Sequence, residues 1–91
     1  MLTPKYVIEY ERGILATLAK VKEASAAEIY SGVKEHLFSL HLTLPVSFSE
    51  MFRLVRVYEQ RAIIHSPKLG YFHLTDLGKE LAKDVVAGGA S

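Results

Sequence analysis

The chain has 91 residues, 49% of them hydrophobic and 23% charged, with a formal net charge of +1. This is one domain's length, enough to bury roughly 60–65% of the unfolded surface, and the composition excludes intrinsic disorder. The absence of cysteine excludes a disulfide framework, a thiolate nucleophile and a Cys-based zinc site, and no apolar run approaches the ~20 residues a membrane span needs.

The first predicted element is a helix opened by Thr3 as N-cap and Pro4 at the first helical position, reaching about Val21. Val7, Ile8, Leu15, Leu18 and Val21 fall near one helical spacing, and Tyr6, Tyr10 and Ile14 form a second apolar line. Glu9, Glu11 and Arg12 interrupt the apolar core that a signal peptide requires, so a cytoplasmic location is expected. A short third strand fits residues 22–25. Ser25-Ala26-Ala27-Glu28 then forms a capping box that launches a second helix, with Ile29, Val33, Leu37 and Phe38 inward. After an irregular stretch over residues 39–46, interrupted by Pro45, a second capping box, Ser47-Phe48-Ser49-Glu50, opens a third helix to about Gln60. Its inward stripe is Met51, Leu54, Val55 and Tyr58.

Beyond Arg61 the apolar period drops from 3.6 to 2. Ala62-Ile63-Ile64-His65 reads as a strand, Ser66-Pro67-Lys68-Leu69-Gly70 as a turn and Tyr71-Phe72-His73-Leu74 as the returning strand. Thr75 caps a last helix carrying Leu77, Leu81 and Val85 on one face. The expected organisation is a single domain over residues 1–86 with a flexible tail, Ala87-Gly88-Gly89-Ala90-Ser91.

Three helices followed by a hairpin and a C-terminal helix predict an α+β, mostly helical, winged helix-turn-helix fold. The segment Ser47-Phe48-Ser49-Glu50-Met51-Phe52-Arg53-Leu54-Val55-Arg56-Val57-Tyr58-Glu59-Gln60-Arg61-Ala62-Ile63-Ile64 resembles the recognition helix and first wing strand of PadR-like and MarR-like transcriptional regulators. Tyr71-Phe72-His73-Leu74-Thr75-Asp76-Leu77-Gly78 resembles their strand-to-helix segment. The chain departs from the pattern with Ala62 where relatives place Gly, with a long second connection, and with one wing cation, Lys68. The resemblance, over roughly residues 13–86, implies a DNA-binding transcriptional regulator that inserts its third helix in the major groove of double-stranded DNA.

Charge is distributed accordingly. Residues 1–46 are neutral, residues 47–73 carry Arg53, Arg56, Arg61 and Lys68 against Glu50 and Glu59, and residues 74–91 net −1. With Met51, Leu54, Val55 and Tyr58 inward, Ser49, Arg53, Arg56 and Gln60 line the opposite helix face, where Arg suits guanine and Gln suits adenine. Ser47 and Ser49 suit phosphate at the helix N-terminus, and Arg61 and Lys68 suit the DNA backbone. The bland alternative is a solvated face with Arg56 paired to Glu59 and Arg53 to Glu50.

The terminal helices of such relatives dimerise, and Leu2, Tyr6, Tyr10, Ile14, Val85 and Val86 are the corresponding candidates for a homodimer interface. No cofactor, metal or catalytic constellation is expected: His36, His41, His65 and His73 lack metal-ligand spacing. A small-molecule effector is not evident. Scarcity of Asn, Gln, Cys and Met suits a protein from a hot environment. Two other functions fit the same plan: a winged-helix module for protein–protein contact, and a sequence-tolerant chromatin or architectural protein.

Overall fold

A computed structural model describes residues 4–41 and 47–88, with side chains over residues 8–41 and 47–85. Along the chain, α1 (Pro4–Lys20), β1 (Ala24–Ser25), α2 (Ala26–Ser39), α3 (Phe48–Gln60), β2 (Ile64–Lys68), β3 (Tyr71–Leu74) and α4 (Asp76–Gly88) follow one another. The described residues form an α+β fold of four helices and a three-stranded antiparallel sheet in the order β1-β3-β2. Thr3, residues 42–46 with Pro45, and residues 89–91 of the expected tail lie outside the described residues. Helix α4 continues through Ala87 and Gly88, two residues into the segment expected to be a tail.

The capping box at Ser25 forms completely. The Ser25 hydroxyl accepts from the Glu28 N–H at 3.2 Å, and the Glu28 carboxylate accepts from the Ser25 N–H at 3.0 Å. The Ser25 N–H bond to the carboxylate, and after it the Ser25 hydroxyl beside it, favour the ionised acid and hold the Glu28 carboxyl below its ordinary value. The second box forms only by half. Ser47 caps the Glu50 N–H at 3.3 Å, but its own N–H donates to the Tyr10 hydroxyl at 3.2 Å, so Glu50 is not needed there.

One core joins every layer. Helix α1 supplies Tyr10, Ile14, Leu15 and Leu18, α2 supplies Ile29, Val33 and Leu37, and α3 supplies Met51, Val55 and Tyr58. Ile64, Phe72 and Leu74 of the hairpin, with Ala82 of α4, complete it. Leu54 is only partly buried.

Helix α1 packs against both α2 and α4, and Tyr10 and Ile14 of one apolar line and Leu15 and Leu18 of the other are buried inside one protomer. Tyr10 and Ile14, expected at a dimer interface, are 1% and 0% exposed and belong to this core. Val85 is half-buried against the same core. Leu2 and the side chains of Tyr6 and Val86 lie outside the described residues. At the two ends of α1's region, Ile8 and Val21 turn outward instead.

One further inward assignment reverses, and the apolar face read on the last helix is not the one that packs. Phe38 is 82% exposed, past the last buried turn of α2. On α4 the face against the protein is Gly78, Ala82 and Val85, while Leu77 and Leu81 face out. The reason is proximity: a Cβ on Gly78 would lie 2.2 Å from the Ile63 carbonyl oxygen, so the helix approaches the sheet too closely for a larger residue.

The first hairpin strand begins and ends later than its apolar alternation suggests, whereas β3 keeps its expected bounds, Tyr71–Leu74. Strand β2 starts at Ile64 and extends to Lys68, because Pro67 sits at an irregularity between the His65↔His73 and Lys68↔Tyr71 pairs rather than ending the strand. A bulge tolerates the missing proline N–H.

Candidate nucleic-acid interface

Helix α3 divides cleanly along its length. Met51, Val55 and Tyr58 are buried, whereas Ser49, Arg53, Arg56 and Gln60 are exposed. The spacing of three and four residues holds each set on one face. The helix is anchored at both ends. At its start stand the Ser47 cap and the Tyr10 hydroxyl; burial raises the Tyr10 phenol above its ordinary value, and the Ser47 bond opposes this in part.

At its C-terminal end, the Ala62 N–H donates to the Glu59 carbonyl at 3.1 Å and the Ile63 N–H to Tyr58 at 2.9 Å. These bonds close a Schellman motif around Ala62, whose φ of 60° is the left-handed conformation that glycine adopts more cheaply. Inside the helix, burial pushes the Tyr58 phenol upward, and Glu11, whose negative charge lies nearby and whose carboxylate accepts a hydrogen bond from it, pushes it the same way.

Thr75 ties the hairpin's exit back to this corner. Its N–H donates to the Ile63 carbonyl at 3.0 Å, its hydroxyl lies against the Ala62 and Ile63 carbonyls, and it accepts from the Gly78 N–H at 3.1 Å. The third helix, the hairpin and α4 are therefore one rigid junction.

The charged groups on this face are less free than their sequence suggests. Arg53 lies 3.9 Å from Glu50, and Arg56 lies 3.4 Å from Glu59. Arg56 also covers the Phe52 ring at 5.1 Å. Lys68, on the hairpin, reaches Glu23 beside β1 at 3.2 Å and sits 4.6 Å from the Tyr71 ring centroid. Arg61 is exposed and makes no ion pair among the described residues. The cationic excess assigned to the third helix and hairpin is thus largely matched by nearby carboxylates.

Ser49 and Gln60 are exposed at opposite ends of the same stripe. Ser47 is exposed too, but its hydroxyl is engaged as the cap.

Two features escape local sequence reading. The Lys68–Glu23 pair joins residues brought together only by the sheet. An aromatic ladder of Tyr30, Phe48, Phe52 and Phe72, with centroid steps of 5.2, 6.0 and 6.3 Å, runs from α2 across α3 to the sheet. Phe48 and Phe52, four residues apart in the sequence, are its one legible signal.

His65 and His73 face each other across the hairpin with ring centroids 5.2 Å apart. Among the described residues, no group of three or more His, Asp or Glu is arranged to hold a metal. Also among the described residues, no helix is long and apolar enough to cross a membrane. The chain matches no family model, no curated protein and no solved structure.

Proposed function

We propose that this chain is a winged-helix regulator of transcription that binds duplex DNA as a homodimer, with α3 in the major groove and the β2–β3 hairpin as the wing. The observation that carries the proposal is the exposed stripe of Ser49, Arg53, Arg56 and Gln60 opposite the buried stripe of the same helix. The element order, with a short β1 beside the hairpin in a β1-β3-β2 sheet, supports it.

The ion pairs do not oppose DNA contact strongly. Arg53 and Arg56 are 73% and 61% exposed, and exposed pairs of this kind are worth ~0–1 kcal/mol. A bidentate Arg–guanine contact discriminates by ~1–3 kcal/mol, which exceeds the cost of releasing the glutamate. Exposed Ile8, Leu77 and Leu81 on the terminal helices supply apolar surface for the two-fold contact in place of Tyr10 and Ile14.

Selection of bound fragments from a random duplex library tests this function. Enrichment of an inverted repeat with half-sites about one helical turn apart supports a sequence-reading dimer. Retention of all sequences alike points instead to an architectural protein.

A second function, a winged-helix module for protein contact, is favoured by the intrachain pairing of Arg53, Arg56 and Lys68. It predicts no duplex binding even at low salt, where phosphate attraction is strongest.

A further inference from the structure

A second surface feature lies away from the α3 face. A groove of about 950 Å³ runs between the C-terminal end of α1, β3 and the first half of α4. Its floor is apolar: Leu18, Leu74 and Ala82 are buried beneath it, and Val21, 44% exposed, forms one wall. Its rim is cationic, with Lys20 and Lys22 from the end of α1 and Lys79 and Lys83 from α4. Among the described residues no carboxylate lines it, although residues 74–91 as a whole are net acidic.

Lys83 pairs with Glu80 at 3.0 Å. Lys20, Lys22 and Lys79 make no ion pair among the described residues. His73 also lines the groove, and its buried Nε2 has no hydrogen-bond partner among the described residues. A buried polar atom left open in this way marks a place where the chain does not satisfy its own chemistry.

We propose that this groove binds a free medium-chain acyl carboxylate, with the hydrocarbon along the Leu18–Leu74–Ala82 floor and the carboxylate among the lysines. Charge complementarity selects an anion, and the floor selects one with an apolar tail. An inorganic anion would leave the floor wet, and an alkyl cation would meet four ammonium groups. The volume is in the range of small-molecule sites. The site does not depend on the α3 face being a DNA reader.

The test is titration of the full-length chain with decanoate, below micelle-forming concentration, followed by amide chemical shifts. Saturable shifts centred on Leu18, Val21, His73 and Ala82 are expected, with none from acetate or decyltrimethylammonium. The K20Q/K79Q variant changes two exposed side chains that bear no structural bond, so it folds as the parent. Its affinity for decanoate should be about tenfold weaker.

Several results would overturn the assignment: no saturation, equal binding of the decyl cation, shifts spread over α3, or unchanged affinity in K20Q/K79Q. Sedimentation of the chain with phosphatidylglycerol vesicles, without saturable decanoate binding, would also overturn it and assign the lysines to a membrane surface.

Discussion

The junction of α4 with the hairpin makes a quantitative prediction for Gly78→Ala. On an open helix this change is stabilising by about 0.5–1 kcal/mol, because alanine loses less backbone entropy than glycine. Here the added Cβ would sit 2.2 Å from the Ile63 carbonyl oxygen and 3.2 Å from its carbon. Relief requires α4 and the Ile63 backbone to separate by about 1 Å in an interior packed without slack. That motion strains the Thr75 N–H bond to the Ile63 carbonyl and the Thr75 hydroxyl contact at the same oxygen. Each contributes about 0.5–1.5 kcal/mol, and overpacking strain alone is typically 1–3 kcal/mol.

Set against the propensity gain, the net destabilisation is about 2 kcal/mol, or roughly 10 °C in Tm for a domain of this size. Thermal and urea unfolding followed by circular dichroism measure it directly. Gly32→Ala is the internal contrast, since its Cβ would meet the Thr17 side chain, with Oγ1 at 2.0 Å. Thr17→Ala should therefore rescue Gly32→Ala by about 1–2 kcal/mol beyond additivity, whereas Leu74→Ala should not rescue Gly78→Ala. A Gly78→Ala protein as stable as the parent would refute the close approach of α4 to Ile63.

Other outcomes follow from neighbouring features. Ala62→Gly should stabilise the protein by about 0.5–1 kcal/mol in urea titrations, since relief of the left-handed alanine exceeds the added chain entropy of glycine; destabilisation would contradict the φ of 60°. The raised Tyr58 phenol is linked to alkaline stability. Because the folded state holds this proton more tightly, its contribution is complete below the unfolded value of about 10 and is lost as pH rises beyond it. Tyr58→Phe should flatten that alkaline decline in melts recorded between pH 8 and 11, and an unchanged slope would count against the buried phenol. On the α3 face, Glu50→Gln with Glu59→Gln should strengthen duplex binding several-fold at low salt by freeing Arg53 and Arg56; weaker binding in anisotropy titrations would mean that the glutamates themselves contact the ligand.

Much of the fold was legible because its signals are local. The Ser25–Glu28 box and the inward stripes Ile29-Val33-Leu37 and Met51-Val55-Tyr58 each depend on spacing that neighbouring residues define, whereas of the strand expected over residues 22–25 only Ala24–Ser25 forms, where it pairs with β3. Where the structure departs, a distant group intervenes. Glu50 does not complete the second box because the Tyr10 hydroxyl, 37 residues earlier, takes the Ser47 N–H.

Tyr10 and Ile14 suggested surplus apolar surface because nothing in α1 alone reveals that α2 and α4 enclose it from two sides. Leucine marked the wrong face of α4 for a related reason: the closest approach in the junction selects Gly78 and Ala82, and hydrophobicity does not encode proximity. At the candidate interface, the exposure of Ser49, Arg53, Arg56 and Gln60 follows from helical periodicity. The intrahelical pairs were foreseeable at three-residue spacing, but the Lys68–Glu23 pair required the sheet.

The central claim is that the α3 stripe reads duplex DNA, and anisotropy of a labelled, library-selected duplex titrated at stepped salt tests it most directly. Parent protein should bind with a negative salt slope and keep its preference for the selected site. Arg53→Ala and Arg56→Ala should each cost about 1–3 kcal/mol of specific binding if they contact bases. Unchanged affinity and salt slope in the double variant, with the fold intact by circular dichroism, would contradict the claim.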